Sequence, residues 1–134
     1  MKLMNTHLFK ETAEGIALVG QKCRTCGKIA YPKKRVCPEC FGEDLEEKTL
    51  SRTGTLHTFT NVVLGAPHLK PPYITGFVDL PEKIRVLSVI TGCDADKDEP
   101  RVDMPVEIVL DKLMQDENGE DLYCYKFKPL RKEG

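Results

Sequence analysis

Four of the six cysteines fall in two tight pairs, Cys23-Arg24-Thr25-Cys26 and Cys37-Pro38-Glu39-Cys40, with ten residues between them. No other feature of the 134 residues constrains the fold as strongly. A Cys-x-x-Cys pair places two thiolates on one knuckle with backbone N–H groups turned towards the sulfurs. Two such knuckles brought together present four sulfurs at the corners of a tetrahedron, the geometry that Zn²⁺ accepts. Gly27 stands after the second cysteine, where the chain must double back with positive φ, and Pro38 stiffens the second knuckle. Iron in an S₄ site is the competing occupant, and a pair of disulfides is the remaining alternative. Four thiolates leave no coordination position for water or substrate, so the metal expected at Cys23, Cys26, Cys37 and Cys40 is a structural zinc. Residues Ile16 to Leu45 hold few large apolar groups. Metal binding, on the order of 10–16 kcal/mol in comparable small peptides, is therefore expected to fold them. Removal of zinc should unfold this half and leave the rest largely intact.

The segment Met1 to His7 lacks the apolar core of a secretory signal, and no run approaches the roughly 20 apolar residues that span a bilayer. In that setting the cysteine spacing reads as metal binding rather than as a disulfide framework. The expected location is cytoplasmic, with no membrane partner. Apolar residues make up 40% and charged residues 31% of the chain, enough for one modest core. A large enclosed active site is beyond a chain of this size, so any chemistry is expected to need a partner.

The pattern along the chain predicts a mainly β protein. A short helix is expected over Thr6 to Ala13, with Leu8, Phe9 and Ala13 on one face, Asn5 or Thr6 as cap and Gly15 as terminator. Ile16 to Val19 and Ile29 to Tyr31 read as short strands, the second stopped by Pro32, and the acidic stretch Glu39 to Glu47 as a solvated connector. Five β-rich runs follow: Gly54 to Leu64, Tyr73 to Leu80, Ile84 to Gly92, Pro105 to Leu113 and Leu122 to Lys128. Asn118-Gly119 is a reverse-turn signal between the last two. The proline-rich loop Pro67 to Pro72 excludes a central strand there, and Asp94 to Asp103 is expected to be exposed. Five short strands avoid open edges by closing into a small barrel of the OB type. The expected domains are 1–48, an N-terminal helix and zinc ribbon, and 49–134, a five-stranded OB-fold barrel.

No catalytic constellation is present in the sequence. His7, His57 and His68 are scattered, and no phosphate-cradling glycine loop, nucleophile elbow or paired-carboxylate motif occurs. Cys93 and Cys124 lie in or beside β runs and read as buried thiols acting as small hydrophobes. The net charge of −1 conceals a polarity along the chain. Gly15 to Pro38 carries six basic residues and no acidic one, whereas Leu50 to Gly134 carries 11 basic and 14 acidic. The cluster Lys33-Lys34-Arg35 could meet phosphates, or the cations could simply offset four thiolates on one Zn²⁺. A nucleic-acid module is the alternative reading, because ribbons and OB barrels both serve that purpose. It would need a basic groove lined with stacking aromatics. Here the barrel half is acidic and Trp is absent, and Tyr73, Phe77, Tyr123, Tyr125 and Phe127 fit strand alternation into a core.

The order of motifs resembles a family of two-part proteins in which a rubredoxin-like zinc ribbon precedes an OB-fold domain. The matching residues run through nearly the whole chain. Phe9, Gly15 and Leu18 resemble the family's helix-then-strand entry, and Cys23-x-x-Cys26-Gly27, Pro32 and Cys37-Pro38-x-Cys40 its ribbon. Gly54, Phe59-Thr60-x-Val62, Pro72-Tyr73, Val78-Asp79-Leu80, Gly92, Met104-Pro105-Val106 and Tyr125-x-Phe127-x-Pro129 resemble its barrel. Family members are small accessory subunits of thiolase-like acyl-CoA enzymes, the small subunit of a benzylsuccinyl-CoA-type thiolase among them. The resemblance implies a non-catalytic subunit of a hetero-oligomer that docks on a thiolase-like large subunit and helps form or cover its acyl-CoA site. It makes the coenzyme A thioester a ligand shared with that partner, with Lys33, Lys34, Arg35, Pro72 and Tyr73 as the expected contacts. One departure stands out: Pro32-Lys33-Lys34-Arg35 replaces a Pro-Pro-Arg run common in the family.

Overall fold

The computed structural model describes residues 2–4, 6–62, 73–93 and 99–130. Regular structure among them is entirely β. The N-terminal part contains β1 (Lys2–Leu3), β2 (Phe9–Thr12), β3 (Gly15–Cys23), β4 (Ile29–Ala30) and β5 (Leu45–Thr49). The helix expected over Thr6 to Ala13 is absent. Phe9 to Thr12 instead pairs antiparallel with β3, from Phe9 opposite Leu18 to Thr12 opposite Gly15. An eight-residue helix is marginal in water, whereas the hairpin buries Phe9 and satisfies the backbone along a longer strand. The Thr12 hydroxyl donates to the Gly15 carbonyl at 2.7 Å across the turn.

β3 is longer than its apolar run suggests and is buried along most of its length. Beyond Leu18 it changes neighbours, pairing with β4 at Gln21 and Lys22 and with β5 from Val19 to Cys23. The close approach to β4 requires Gly20, since a Cβ there would lie 2.5 Å from the Ala30 carbonyl oxygen. The second half of the expected acidic connector is therefore a strand. Its backbone pairs with β3 while its carboxylates face cations on neighbouring segments: Glu46 lies 3.4 Å from Arg24, and Glu47 lies 3.3 Å from Lys10 and 3.7 Å from Lys33. Composition alone conceals such an edge strand.

The second part contains β6 (Thr53–Val62), β7 (Tyr73–Leu80), β8 (Ile84–Ile90), β9 (Pro105–Gln115) and β10 (Asp121–Pro129). All five lie within or close to the runs read from the sequence, and β7 coincides with its run. The strands close in the order β6-β7-β8-β10-β9, with β9 pairing back to β6, the order of a five-stranded Greek-key barrel. The β8–β10 seam is parallel and joined at Phe127 and Ile90. β1 pairs with the start of β10 at Leu122 and Tyr123, also parallel. At the β9–β10 turn, Asp116 Oδ1 accepts N–H bonds from Asn118 and Glu120, and Gly119 takes φ 79°. The loop Pro67 to Pro72 and Asp94 to Asp98 lie outside the described residues. Asp103, at the end of the second loop, is exposed as expected.

One core serves both parts. Phe9, Ile16, Leu18 and Leu50 from the N-terminal side join Leu56, Val78, Val86, Val106, Ile108 and Phe127 of the barrel in a single apolar cluster. Arg52 braces the junction, donating from Nε to the Ile16 carbonyl at 2.9 Å and from a terminal nitrogen to the Ile108 carbonyl at 3.2 Å. Tyr31 donates to the Tyr125 hydroxyl at 3.2 Å, and Phe9 meets the Tyr125 ring edge-on at 6.3 Å between centroids. Burial of the two phenols pushes both pKa values above the ordinary range, so the pair stays neutral. Cys124 is buried and Cys93 is partly buried against the same core. Of the aromatics expected in the core, Phe127 and Tyr125 join it, whereas Tyr73 and Tyr123 are half-buried outside the cluster and Phe77 departs furthest. Phe77 shares its face of β7 with Thr75 and Asp79, because Val78 and Leu80 take the inward positions, and it remains 41% exposed.

Candidate metal centre

The two knuckles are built alike. Cys23 closes β3, and its N–H donates to the Lys28 carbonyl at 2.9 Å. The Gly27 N–H then turns back to the Cys23 carbonyl at 2.9 Å. In the second knuckle the Cys37 N–H donates to the Gly42 carbonyl at 2.8 Å, and the Phe41 N–H donates to the Cys37 carbonyl at 2.9 Å. Gly27 and Phe41 thus hold equivalent places, each directly after the second cysteine, with φ of 81° and 61°. The first is the glycine whose freedom the turn requires; the second is not a glycine.

Each knuckle supplies one buried and one exposed sulfur, Cys23 and Cys37 inside and Cys26 and Cys40 outside. The Sγ atoms lie 3.6 Å apart for Cys23 and Cys40 and 3.5 Å apart for Cys26 and Cys37, and all four fall within 4.8 Å of one another. A tetrahedron with metal–sulfur bonds of about 2.3 Å has edges of about 3.8 Å, so the set fits Zn²⁺ without rearrangement of the backbone. A disulfide needs sulfurs near 2.05 Å, and these pairs do not meet that distance.

The electrostatics of the four thiols favour a cation. Cys23 is lowered to about 6, chiefly because the Cys26 N–H points at its sulfur. Cys37 is lowered in the same way by the N–H groups of Cys40, at 3.5 Å, and Glu39, at 3.4 Å. For Cys26 the Lys28 N–H favours the thiolate, but loss of water and the neighbouring Cys37 sulfur outweigh it and push the thiol up to about 12. Cys40 is raised for similar reasons, against the pull of the Gly42 N–H. Two groups therefore favour the thiolate and two resist it. A divalent ion removes the conflict, because a coordinated thiol is deprotonated outright.

The other residues singled out in the sequence are dispersed. Lys33, Lys34 and Arg35 are exposed on the segment between β4 and the second knuckle. That segment is pinned by Gln21, a buried side chain on β3 whose Oε1 accepts the Lys34 N–H at 2.6 Å. Tyr73 is half-buried at the start of β7, opposite Val62, and Pro72 lies outside the described residues. Among the described residues no hydrogen bond or ion pair joins Tyr73 to the Lys33–Arg35 run. Sequence reasoning missed Gln21, Arg52 and the Tyr31–Tyr125 pair. Only the polarity of Gln21 within an otherwise apolar strand could have drawn attention to one of them.

By fold and site the molecule is a zinc-ribbon protein built onto an OB-type barrel. Residues 16–46 match the family described as "ChsH2, rubredoxin-like zinc ribbon domain", and residues 47–111 match "ChsH2, C-terminal OB-fold domain". The chain is 34% identical over 125 residues to "Benzoylsuccinyl-CoA thiolase subunit BbsA" of Thauera aromatica, covering 92% of this chain and 85% of that protein. It is 36% identical over 116 residues to a "DUF35 domain-containing scaffold protein" of Methanothermobacter thermautotrophicus, covering 84% and 86%. The solved structure "Ltp2-ChsH2(DUF35) aldolase" aligns with a TM-score of 0.63 at 28% identity, over 84% of each chain. The chain belongs to the ChsH2/DUF35 family, in which a rubredoxin-like zinc ribbon is joined to an OB-fold domain.

Among the described residues, no helix is long and apolar enough to cross a membrane.

Proposed function

We propose that this chain is a non-catalytic accessory subunit that docks on a thiolase-like acyl-CoA enzyme and helps form or cover its acyl-CoA site. The observation that carries the reading is its similarity, over 92% of its length, to a protein named as a thiolase subunit. A closed four-sulfur site suits that role, since it can staple the ribbon but has no open position for substrate. Cys23, Cys26, Cys37 and Cys40 would hold a structural Zn²⁺, which supplies rigidity to the knuckles. The reactive groups would belong to the large subunit. Coenzyme A would meet this chain at Lys33, Lys34 or Arg35, whose cationic heads suit phosphate, and at Pro72 and Tyr73. The natural division of the chain is 1–48 and 49–134, and its place is the cytoplasm.

Tagged protein captured from native extract should bring down a thiolase-like chain of about 40 kDa, a size expected from the family resemblance, identified by mass spectrometry. Elemental analysis should give one zinc per chain. Thioester turnover by the isolated chain, or capture without any thiolase-like protein, would overturn the proposal. Calorimetric titration of coenzyme A into the captured complex, with Lys33 and Arg35 changed to Ala, tests the contact residues separately.

A further inference from the structure

The two knuckles differ at the residue after the second cysteine, and the difference is costly. After Cys26 the left-handed turn is made by Gly27, and after Cys40 the same turn, with the same N–H bond back to the first cysteine's carbonyl, is made by Phe41 at φ 61°. A bulky side chain is a genuine outlier in that region, and glycine adopts it freely. Residues held in such a conformation cluster at sites of function. Phe41 gains nothing from the fold in return, because it is 75% exposed. Val36, directly before the first cysteine of the same knuckle, is 39% exposed.

The charges around this tip also point outward. Arg24 is satisfied by Asp44 and Glu46, and Lys33 by Glu47. Lys34 and Arg35, directly before Val36, are exposed and have no ion pair among the described residues. Glu39 and Glu43 bracket Phe41 on its own segment. The second knuckle therefore presents one aromatic ring and one branched aliphatic side chain, with two cations outside any ion pair on the segment that leads into it. Aromatic and Arg side chains presented in this way are the usual anchors of protein interfaces.

We infer that Phe41 is an anchor by which the zinc-ribbon tip docks on the thiolase-like partner protein, entering an apolar pocket of that partner. The inference rests on the subunit reading above and names the face of this chain that meets the partner.

The test uses the thiolase-like chain captured by the tagged wild-type protein, purified and titrated with full-length zinc-loaded wild type, Phe41→Gly and Phe41→Tyr. Glycine suits the left-handed turn, so Phe41→Gly should keep its zinc and release it to a chelator no faster than wild type. The same variant should bind the partner at least about tenfold more weakly, as loss of an interface anchor requires, while Phe41→Tyr stays within about threefold of wild type. Unchanged affinity in Phe41→Gly would overturn the anchor but leave the subunit reading standing. Weaker binding accompanied by faster zinc release would overturn it as well, since Phe41 would then be acting on the knuckle itself. If the wild type captures no thiolase-like chain, the subunit reading fails and the anchor fails with it.

Discussion

Removal of the metal should melt the tip of the ribbon and spare its base. The 22 residues from Cys23 to Asp44 include only Cys23, Ala30 and Cys37 as buried apolar positions. Ordering each backbone unit costs about 1–2 kcal/mol, so burial cannot hold this segment once the ion is gone. The base is different. Phe9, Ile16, Leu18, Val19 and Leu50 are all at most 6% exposed. At about 1.5–3 kcal/mol for each buried side chain, they contribute on the order of 10 kcal/mol through contacts that involve no sulfur. The Leu50 N–H to the Leu18 carbonyl at 2.9 Å and the Val19 N–H to the Leu8 carbonyl at 2.8 Å belong to this base. This narrows the sequence-based expectation that the whole N-terminal half depends on zinc. Hydrogen exchange read by mass spectrometry, with and without excess chelator under reducing conditions, separates the two. Peptides within 23–44 should lose protection, while amides of Ile16 to Val19, Leu50 and the barrel keep theirs. Loss of protection at Leu18 to Gly20 together with the tip would refute the idea that the barrel holds the base.

Two further outcomes follow from the packing and from one surface pair. Leu18→Ala should destabilise the whole molecule by about 2–5 kcal/mol, as deletion of a fully buried leucine does elsewhere, and the loss should appear in one thermal transition because Leu18 lies in the shared core. A ribbon transition shifting alone, with the barrel transition unmoved, would contradict it. Arg85 grips Asp79 with two bonds, at 2.7 and 3.2 Å, and this hydrogen bonding holds the Asp79 carboxyl below its usual range, with His57 adding a smaller effect. A carboxyl lowered in the folded state stabilises above its unfolded pKa, and that contribution fades as pH falls through the folded value. Arg85→Met should therefore cost little stability near neutrality, the pair being well exposed. It should also flatten the acid side of the stability curve below about pH 4, as chemical denaturation at stepped pH would record.

Much of the barrel was legible because its strands alternate. In Tyr73 to Leu80 the inward set Gly76, Val78 and Leu80 fixes both the strand and its face. Asn118-Gly119 marked its hairpin for the reason such pairs usually do, the glycine taking positive φ. The metal centre was the most legible feature, since paired spacing encodes geometry directly. The N-terminal segment was not, because Leu8, Phe9 and Ala13 suit a short helix as well as a hairpin, and the partner that decides, Leu18, lies nine residues beyond Phe9. β5 was hidden by charge, because Glu46, Glu47 and Lys48 look like a connector until β3 offers them a backbone ladder. Arg52 and Tyr31 act across the junction between the two parts, where local pattern carries no information.

β3 starts inside the barrel's hydrophobic cluster and ends in a cysteine of the metal site. Anyone hoping to transplant the ribbon from one relative to another must therefore move the strand together with the pocket that receives Leu18. A graft joined at the surface would leave that leucine facing foreign walls, and the chimera would announce the error as lost solubility well before any change in metal content.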